Sequence, residues 1–367
     1  MAITETYVDP SIAGDSGTGT IGDPYGDVQY ALNTMTRDAT NGDRINIKAG
    51  TAEVLAASLT LATYGTPTGA APLCIRGYTT AAADGGIGEI DCGGNTMWTV
   101  TSYDYIVLVD LELHTFGDNN GVVLDADSLA FRCEVHKGAS SPSSKTLLTL
   151  SSNEGAVIDC HVHDAGTSGI GIKAQTVLYC YLHDIPGTAI YRPTVSAIGN
   201  IVEINDIGAL GITIIYNASV IGNTIYSSVA ATGSGIMLAA DNIWMTNIIS
   251  NIVEGFSGVG GSGIKITTGS DAAMVGYNAF YNNTTHFTNS GNIIIDETAN
   301  DVVLGSSPFT NPATGDYSVG TGVKALGYPG LYLGSITTSY MDIGAAQRQE
   351  PTGGGGGRRP RIRAHGV

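Results

Sequence analysis

Histidines and acids recur at one place in a repeated segment of this 367-residue sequence. The runs Leu111-Glu-Leu-His114, Cys133-Glu-Val-His136, Cys160-His-Val-His163 and Cys180-Tyr-Leu-His183 share one pattern, a small or apolar residue followed by an alternation that ends in histidine. Carried into later segments, the histidine position reads His114, His136, His163, His183, Glu203, Tyr226, Glu254 and Tyr281. Beside it lie Glu112, Glu134, His161 and Tyr181, and after it Asp164 and Asp184. If these segments are neighbouring parallel strands, equivalent side chains stand about 5 Å apart. Carboxylates at about 5 Å have the spacing of a retaining glycosidase pair. Glu112 and Glu134, with His136 and His163, are therefore the catalytic candidates should the chain be an enzyme. Carboxylates on adjacent strands are also common on any acidic surface, and Arg132 is expected to neutralise Asp110 and Asp159. Imidazoles one strand apart could share a divalent ion. The plainer reading is a wet, titratable stripe, or one packed against a neighbouring subunit. No metal and no cofactor is assigned, and His114, His136, His161, His163, His183, Asp164 and Asp184 are read as an outer binding face.

A second chemical feature is the C-terminus. Gly353–Gly357 reads as a flexible linker, and it leads into Arg358-Arg-Pro-Arg-Ile-Arg-Ala-His-Gly-Val367. The whole chain has 33 acidic against 16 basic residues and a net charge of −17. Arg358, Arg359, Arg361 and Arg363 thus tether a basic peptide to a body more acidic than the net figure. The tail is read as a docking arm for an acidic partner surface, with a solvated charge run as the plainer alternative. The acidic body argues against nucleic-acid binding.

The elements that must position these residues are set by periodicity. With Leu111 as position zero of a strand, equivalent positions fall at Cys133, Cys160, Cys180, Asn200, Asn223, Asn251 and Asn278. Two residues after each zero sit Leu113, Val135, Val162, Leu182, Val202, Ile225, Val253 and Phe280, all apolar. Two before sit Val109, Phe131, Ile158, Leu178, Ile198, Ile221, Ile249 and Gly276, expected to face the same core by period-two alternation. Further strands are expected at Leu147–Leu150, Gly169–Lys173, Gly211–Ile215, Gly235–Ala239 and Gly263–Ile266. Rungs this short cannot hold βαβ units. They predict an all-β, right-handed, single-stranded parallel β-helix of about a dozen rungs. In the zero column the thiols are expected as reduced core residues, and the asparagines as a ladder that passes amide hydrogen bonds from rung to rung.

Composition agrees. Glycine is 51 residues and charged residues are 13%, which excludes a mostly helical protein, while 43% hydrophobic residues exclude disorder. The apolar runs are too short for a membrane helix. The opening residues lack a basic and apolar leader, and five cysteines without a CxxC pair do not make a disulfide framework. Synthesis in a reducing host cytoplasm is the matching expectation. Asp23-Pro24 is read as the start of an amphipathic capping helix carrying Val28, Ala31, Leu32 and Met35.

Tyr7-Val-Asp-Pro10, this helix and Gly42-Asp-Arg-Ile-Asn-Ile-Lys-Ala-Gly-Thr51 resemble the opening of pectate-lyase-like right-handed β-helix proteins. Ser307-Pro-Phe-Thr-Asn-Pro312, Gly315-Asp-Tyr-Ser-Val319 and Met341-Asp-Ile-Gly-Ala-Ala-Gln347 resemble their close. The resemblance covers roughly Tyr7 to Gln347 and implies the fold. It implies no single activity, because the superfamily holds lyases, glycosidases, epimerases and inert phage spikes. The Asp-Asp, Gly-His-Gly and Arg-x-Lys motifs of polygalacturonase-like members are absent from the sequence, as is a calcium-binding acid cluster with an arginine base of the pectate lyase kind.

The resulting layout is an N-terminal segment and capping helix over 1–44, β-helix rungs over 45–300, a C-terminal cap over 301–352 and the linker and tail over 353–367. The function expected first is that of a non-enzymatic virion protein, a phage spike or capsid-decoration subunit. Its expected partners are itself as a homotrimer, other virion proteins through the tail, and host surface glycans, with no membrane. The alternative is a polysaccharide-cleaving glycosidase or lyase acting along the His/Glu face.

Overall fold

In the computed structural model, residues 3–14, 16–98, 103–117, 120–137, 145–150, 155–239, 246–319, 323, 326–328 and 343–345 are described. The chain divides into two compact units, Met1–Gln175 and Thr176–Val367. Each is a stack of parallel strands in three sheets, and the architecture is the expected right-handed parallel β-helix.

In the first unit, one sheet runs from Thr4–Val8 and Asp43–Lys48 to Leu129–Phe131 and Ala156–Ile158. The second contains Glu53–Val54, Gly88–Asp91, Leu111–His114, Glu134–His136 and His161–His163. The third holds Val122–Leu124, Thr146–Leu150 and Ile170–Lys173. In the second unit the corresponding sheets run from Thr176–Leu178 to Asn292–Glu297, from Tyr181–His183 to Val302–Val303, and from Thr188–Tyr191 to Thr285–Asn289.

Register follows the sequence repeat. Val135 pairs with Leu113 and with Val162 in the first unit, and Ile225 pairs with Val202 and Val253 in the second. All these side chains are fully buried. Their burial, at about 25 cal/mol per Å² of apolar surface, is what holds the coils together.

The residues two before zero do not all face the core as expected: Leu178 and Ile198 are half-buried, while Ile221, Ile249 and Gly276 are buried. The run is broken at the position just before zero, where Asp110, Arg132, Asp159, Tyr179, Ser250 and Tyr277 have φ of 53 to 59°. One left-handed residue turns a corner, so the run becomes two strands in different sheets and the alternation shifts by one. The core-facing residues are Leu108, Ala130, Val157, Val177, Ala197, Val220, Ile248 and Val275. Val109, Phe131 and Ile158 are only half-buried. Glycine takes this corner at Gly199, with φ 66°, where a Cβ would lie 2.7 Å from the Tyr179 ring.

The zero column behaves as predicted within each unit. In the first, the Cys133 backbone N–H donates to Cys160 Sγ at 3.4 Å, and both thiols are buried and outside any disulfide. In the second, Asn200 Nδ2 donates to Asn223 Oδ1 at 2.9 Å, Asn223 to Asn251 at 3.0 Å and Asn251 to Asn278 at 3.0 Å. The four amides are 0% exposed, and each also satisfies a backbone carbonyl of a neighbouring strand. The ladder ends on Asp301, whose Oδ1 accepts from the Asn278 backbone at 2.7 Å.

The capping helix is Val28–Thr34, with Val28, Ala31 and Leu32 buried. It begins at Asp27, not at Asp23-Pro24, because the Asp27 carboxylate accepts from the Tyr30 N–H and satisfies a donor of the first turn. Met35 is its C-terminal cap residue. Among the described residues no helix is long and apolar enough to cross a membrane.

Candidate functional site

The second sheet of the first unit presents outward the residues one and three places after zero. Leu111, Leu113 and Val135 are buried, so Glu112, His114, Glu134 and His136 must project from the opposite side of the pleat. Glu89, Glu112 and Glu134 occupy equivalent register positions on three successive strands, and Glu134 pairs with His161 on the next.

Each histidine reaches back one rung to a carboxylate. His114 Nε2 lies 3.0 Å from Glu89 Oε1, His136 Nε2 3.2 Å from Glu112 Oε1, and His163 Nε2 3.1 Å from Glu134 Oε1. His161 Nδ1 is 3.6 Å from the same Glu134 oxygen. The rings form a column: His114 and His136 stack at 5.2 Å with 13° between planes, and His136 and His163 at 4.8 Å with 10°. His161 lies 4.4 Å from His163, tilted by 31°. The catalytic candidates Glu112, Glu134, His136 and His163 are thus brought together.

The residue after the histidine fixes the ring. Thr115 Oγ1 lies 2.7 Å from His114 Nδ1, and Asp164 Oδ2 lies 2.8 Å from His163 Nδ1. Both Thr115 and Asp164 are left-handed, with φ of 60° and 54°, which folds their side chains back over the preceding ring. In the second unit Asp184 does the same for His183, at 2.7 Å and φ 53°, and Asn205 Nδ2 donates to Asp184 in turn.

Electrostatics follow from these contacts. Hydrogen bonds from His161 and His163 hold the Glu134 carboxyl well below the usual carboxylate range. The hydrogen bond from His136 likewise lowers Glu112. Burial alone would lower His163, but hydrogen bonds to Glu134 and Asp164 outweigh it and raise it. At the corner, Arg132 pairs with Asp110 at 2.6 Å as expected. Asp159 is raised by burial despite the attraction of Arg132, so its expected neutralisation is only partial. Within the first unit two groups of donors lie close enough to hold a metal ion, Glu89–Glu112–His114 and Glu134–His136–His163, each with its ligand atoms within 4.8 Å of one another.

The equivalent outer positions in the second unit are covered. Phe309–Asn311 and Asp316–Val319 form a short antiparallel pair. Phe309, Tyr317, Val319, Val323 and Ile343 make one cluster with Ile201, Ile252 and Ala279. Tyr317 Oη donates to Glu203 Oε2 at 2.6 Å, and Tyr181 Oη donates to the same oxygen at 3.1 Å. Tyr226 packs against Phe309 and Tyr317. Ser307 Oγ donates to Glu254 at 2.8 Å, while burial pushes the Glu254 carboxyl up to about 6.

Two elements of this picture escape the sequence reading. Glu89, the partner of His114, lies one rung before the first repeat counted, although Gly88-Glu-Ile-Asp91 alternates in the same way. The cover was signalled by Ile201, Ile252 and Ala279, apolar residues at outward positions where the first unit carries Glu112, Glu134 and His161. Arg358, Arg359, Arg361 and Arg363 lie outside the described residues.

No protein-family model matches the sequence, and no curated protein matches it. Among solved structures the chain is similar to pectate lyase Pel9A, with a TM-score of 0.53 at 12% identity over 95% of this chain and 98% of that one. A second similarity is to the GH136 lacto-N-biosidase of Eubacterium ramulus, with a TM-score of 0.48 at 14% identity over 81% of this chain and 67% of that one. At this identity the likeness to the pectate lyase is one of fold: the chain has the pectate-lyase-like β-helix.

Proposed function

We propose that the chain is a non-catalytic, glycan-contacting β-helix protein whose binding face is the open His/Glu ladder of the first unit. The observation that carries this reading is the repetition of one carboxylate–imidazole pair on successive rungs, Glu89–His114, Glu112–His136 and Glu134–His163. Such a line offers a polymer the same carboxylate and imidazole edge at each rung, about 4.8 Å apart. The fold shared with a polysaccharide lyase supports the ligand class. The virion setting belongs to the same proposal: a spike or capsid-decoration subunit, trimeric, docked through the arginines of its tail. It rests on the composition, the thiols and the basic tail of the sequence.

Cleavage is the second reading, favoured by the placement of Glu112 directly opposite Glu134. A retaining hydrolase needs one of its two carboxyls to keep a proton. Here both are held ionised by histidines, which supports binding over cleavage.

The test is a panel of acidic and neutral polysaccharides, scored for binding and for chain shortening. Saturable binding without shortening, weakened at least about tenfold by Glu112→Gln plus Glu134→Gln, is expected from the loss of two charge-assisted partners. Shortening abolished by the double substitution would establish the enzymatic reading instead. Binding to none of the panel overturns the glycan assignment.

A further inference from the structure

We infer that Glu134, His136 and His163 form a binding site for one divalent transition-metal ion of the borderline class, such as zinc, cobalt or nickel. Two imidazoles and one carboxylate are a donor set suited to these ions. All three ligand atoms lie within 4.8 Å of one another. The side chains of His163, His136 and Glu134 are 13%, 18% and 19% exposed, so an ion can enter from solvent while much of its shell is protein.

The strongest argument is the setting of His163. Its Nδ1 faces the Asp164 carboxylate at 2.8 Å and its Nε2 faces the Glu134 carboxylate at 3.1 Å. A neutral imidazole has one N–H and one lone pair. It can donate to one of these carboxylates, and its lone pair must then face the other. The arrangement is satisfied by positive charge at the ring, carried either by a second proton or by a cation beside Nε2. Asp164 has the place of the carboxylate that orients a metal-bound histidine, accepting from the nitrogen turned away from the ion. Its left-handed backbone, which costs energy in a non-glycine residue, serves that contact.

Closure of the site requires one adjustment. Imidazole nitrogens bind zinc at about 2.0–2.1 Å, which places tetrahedral donors roughly 3.3 Å apart. Ligation through His136 Nε2 gives up its 3.2 Å contact with Glu112 for the ion. The fourth position is left to water or to an oxygen of a bound molecule. The site is defined by the ion alone and does not depend on what else the face binds.

The experiment titrates metal-free full-length protein with Co²⁺ and follows its d–d absorption, then displaces the cobalt with Zn²⁺. One equivalent per chain with a four- or five-coordinate spectrum is expected. Glu134→Gln or His163→Gln should weaken binding by about 100-fold or more, and Asp164→Asn by about 10- to 100-fold, as for an orienting partner. His286→Gln should leave binding unchanged. Circular dichroism of each variant separates loss of the site from loss of the fold, and the conservative Glu134→Asp is the second probe should Glu134→Gln not fold. Absence of stoichiometric cobalt binding, or binding indifferent to Glu134, His136 and His163, overturns the assignment.

Discussion

The two units use the same coil and finish it in opposite ways. In the first, the outer face of the second sheet carries Glu112, Glu134 and His161, together with the histidine column, and the column of inward small residues is thiol. In the second, the equivalent outer positions include Ile201, Ile252 and Ala279, the chain's own C-terminal segment lies over them, and the inward column passes from Cys180 to the amides of Asn200, Asn223, Asn251 and Asn278. Carboxylates respond accordingly. Glu134 is pulled down by histidines, while Glu254 is pushed up to about 6 by burial. A shared scaffold therefore does not dictate a shared surface; what covers a strand decides whether its outward residues are a site or a second core.

Removing the cover should give the largest effect. Tyr317 is 1% exposed, packs against Tyr226 and Phe309, and donates to Glu203. Tyr317→Ala should cost about 4 kcal/mol in denaturant unfolding, as for other large aromatic truncations. A cost below about 1 kcal/mol would break the claim that this face is a second core.

The inward columns differ next. Asn223→Ala removes the acceptor of the Asn200 backbone N–H and one of the two acceptors of Asn200 Nδ2, together with a donor to the Ala197 carbonyl, for an expected loss of about 3 kcal/mol. Cys133→Ala, in the thiol column, should cost only about 1 kcal/mol, since the thiol acts mainly as a small hydrophobe. Equal costs at the two sites would show that the amide ladder contributes nothing beyond volume.

The pH response sharpens the contrast. Glu254 is raised from 4.5 to about 6 on folding, so the folded state holds the proton more tightly than the unfolded one. Stability from this group is therefore greatest below pH 4.5, falls by about 2 kcal/mol as pH rises from 4.5 to 6, and is flat above. Asp301, also raised to about 6 by burial, acts in the same direction. Glu112 and Glu134 have the opposite sign: their stabilisation is present above pH 4.5 and lost as pH falls through their lowered values. Thermal melts of Glu254→Gln between pH 4.5 and 7 should show a flatter profile than the parent protein and a higher melting temperature at pH 7.

Much of this was legible in the residues. The spacing of Cys133, Cys160, Asn223 and Asn251 fixed the rung, and the apolar residues two places on fixed the inward face. The corner was harder to read. Asp110, Arg132 and Asp159 adopt left-handed backbone that no residue type there announces, so one long strand was expected where two meet at an angle. The His/Glu pairs were foreseen as neighbours, but the use of Thr115 and Asp164 as ring clamps depends on that same backbone. The cover over the second unit depends on a contact more than a hundred residues apart in sequence, Tyr317 with Glu203; only the apolar character of Ile201 and Ile252 hinted at it.

The central claim, that the half-buried His/Glu ladder of the first unit is where a ligand lies, is tested most directly by amide hydrogen exchange with and without a polysaccharide that the protein retains. Slowed exchange confined to Leu111–His114, Glu134–His136 and His161–His163, with Thr224–Ser227 and Ile252–Glu254 unchanged, is the predicted result. Protection of Thr224–Ser227 and Ile252–Glu254, with the histidine strands unaffected, would contradict it.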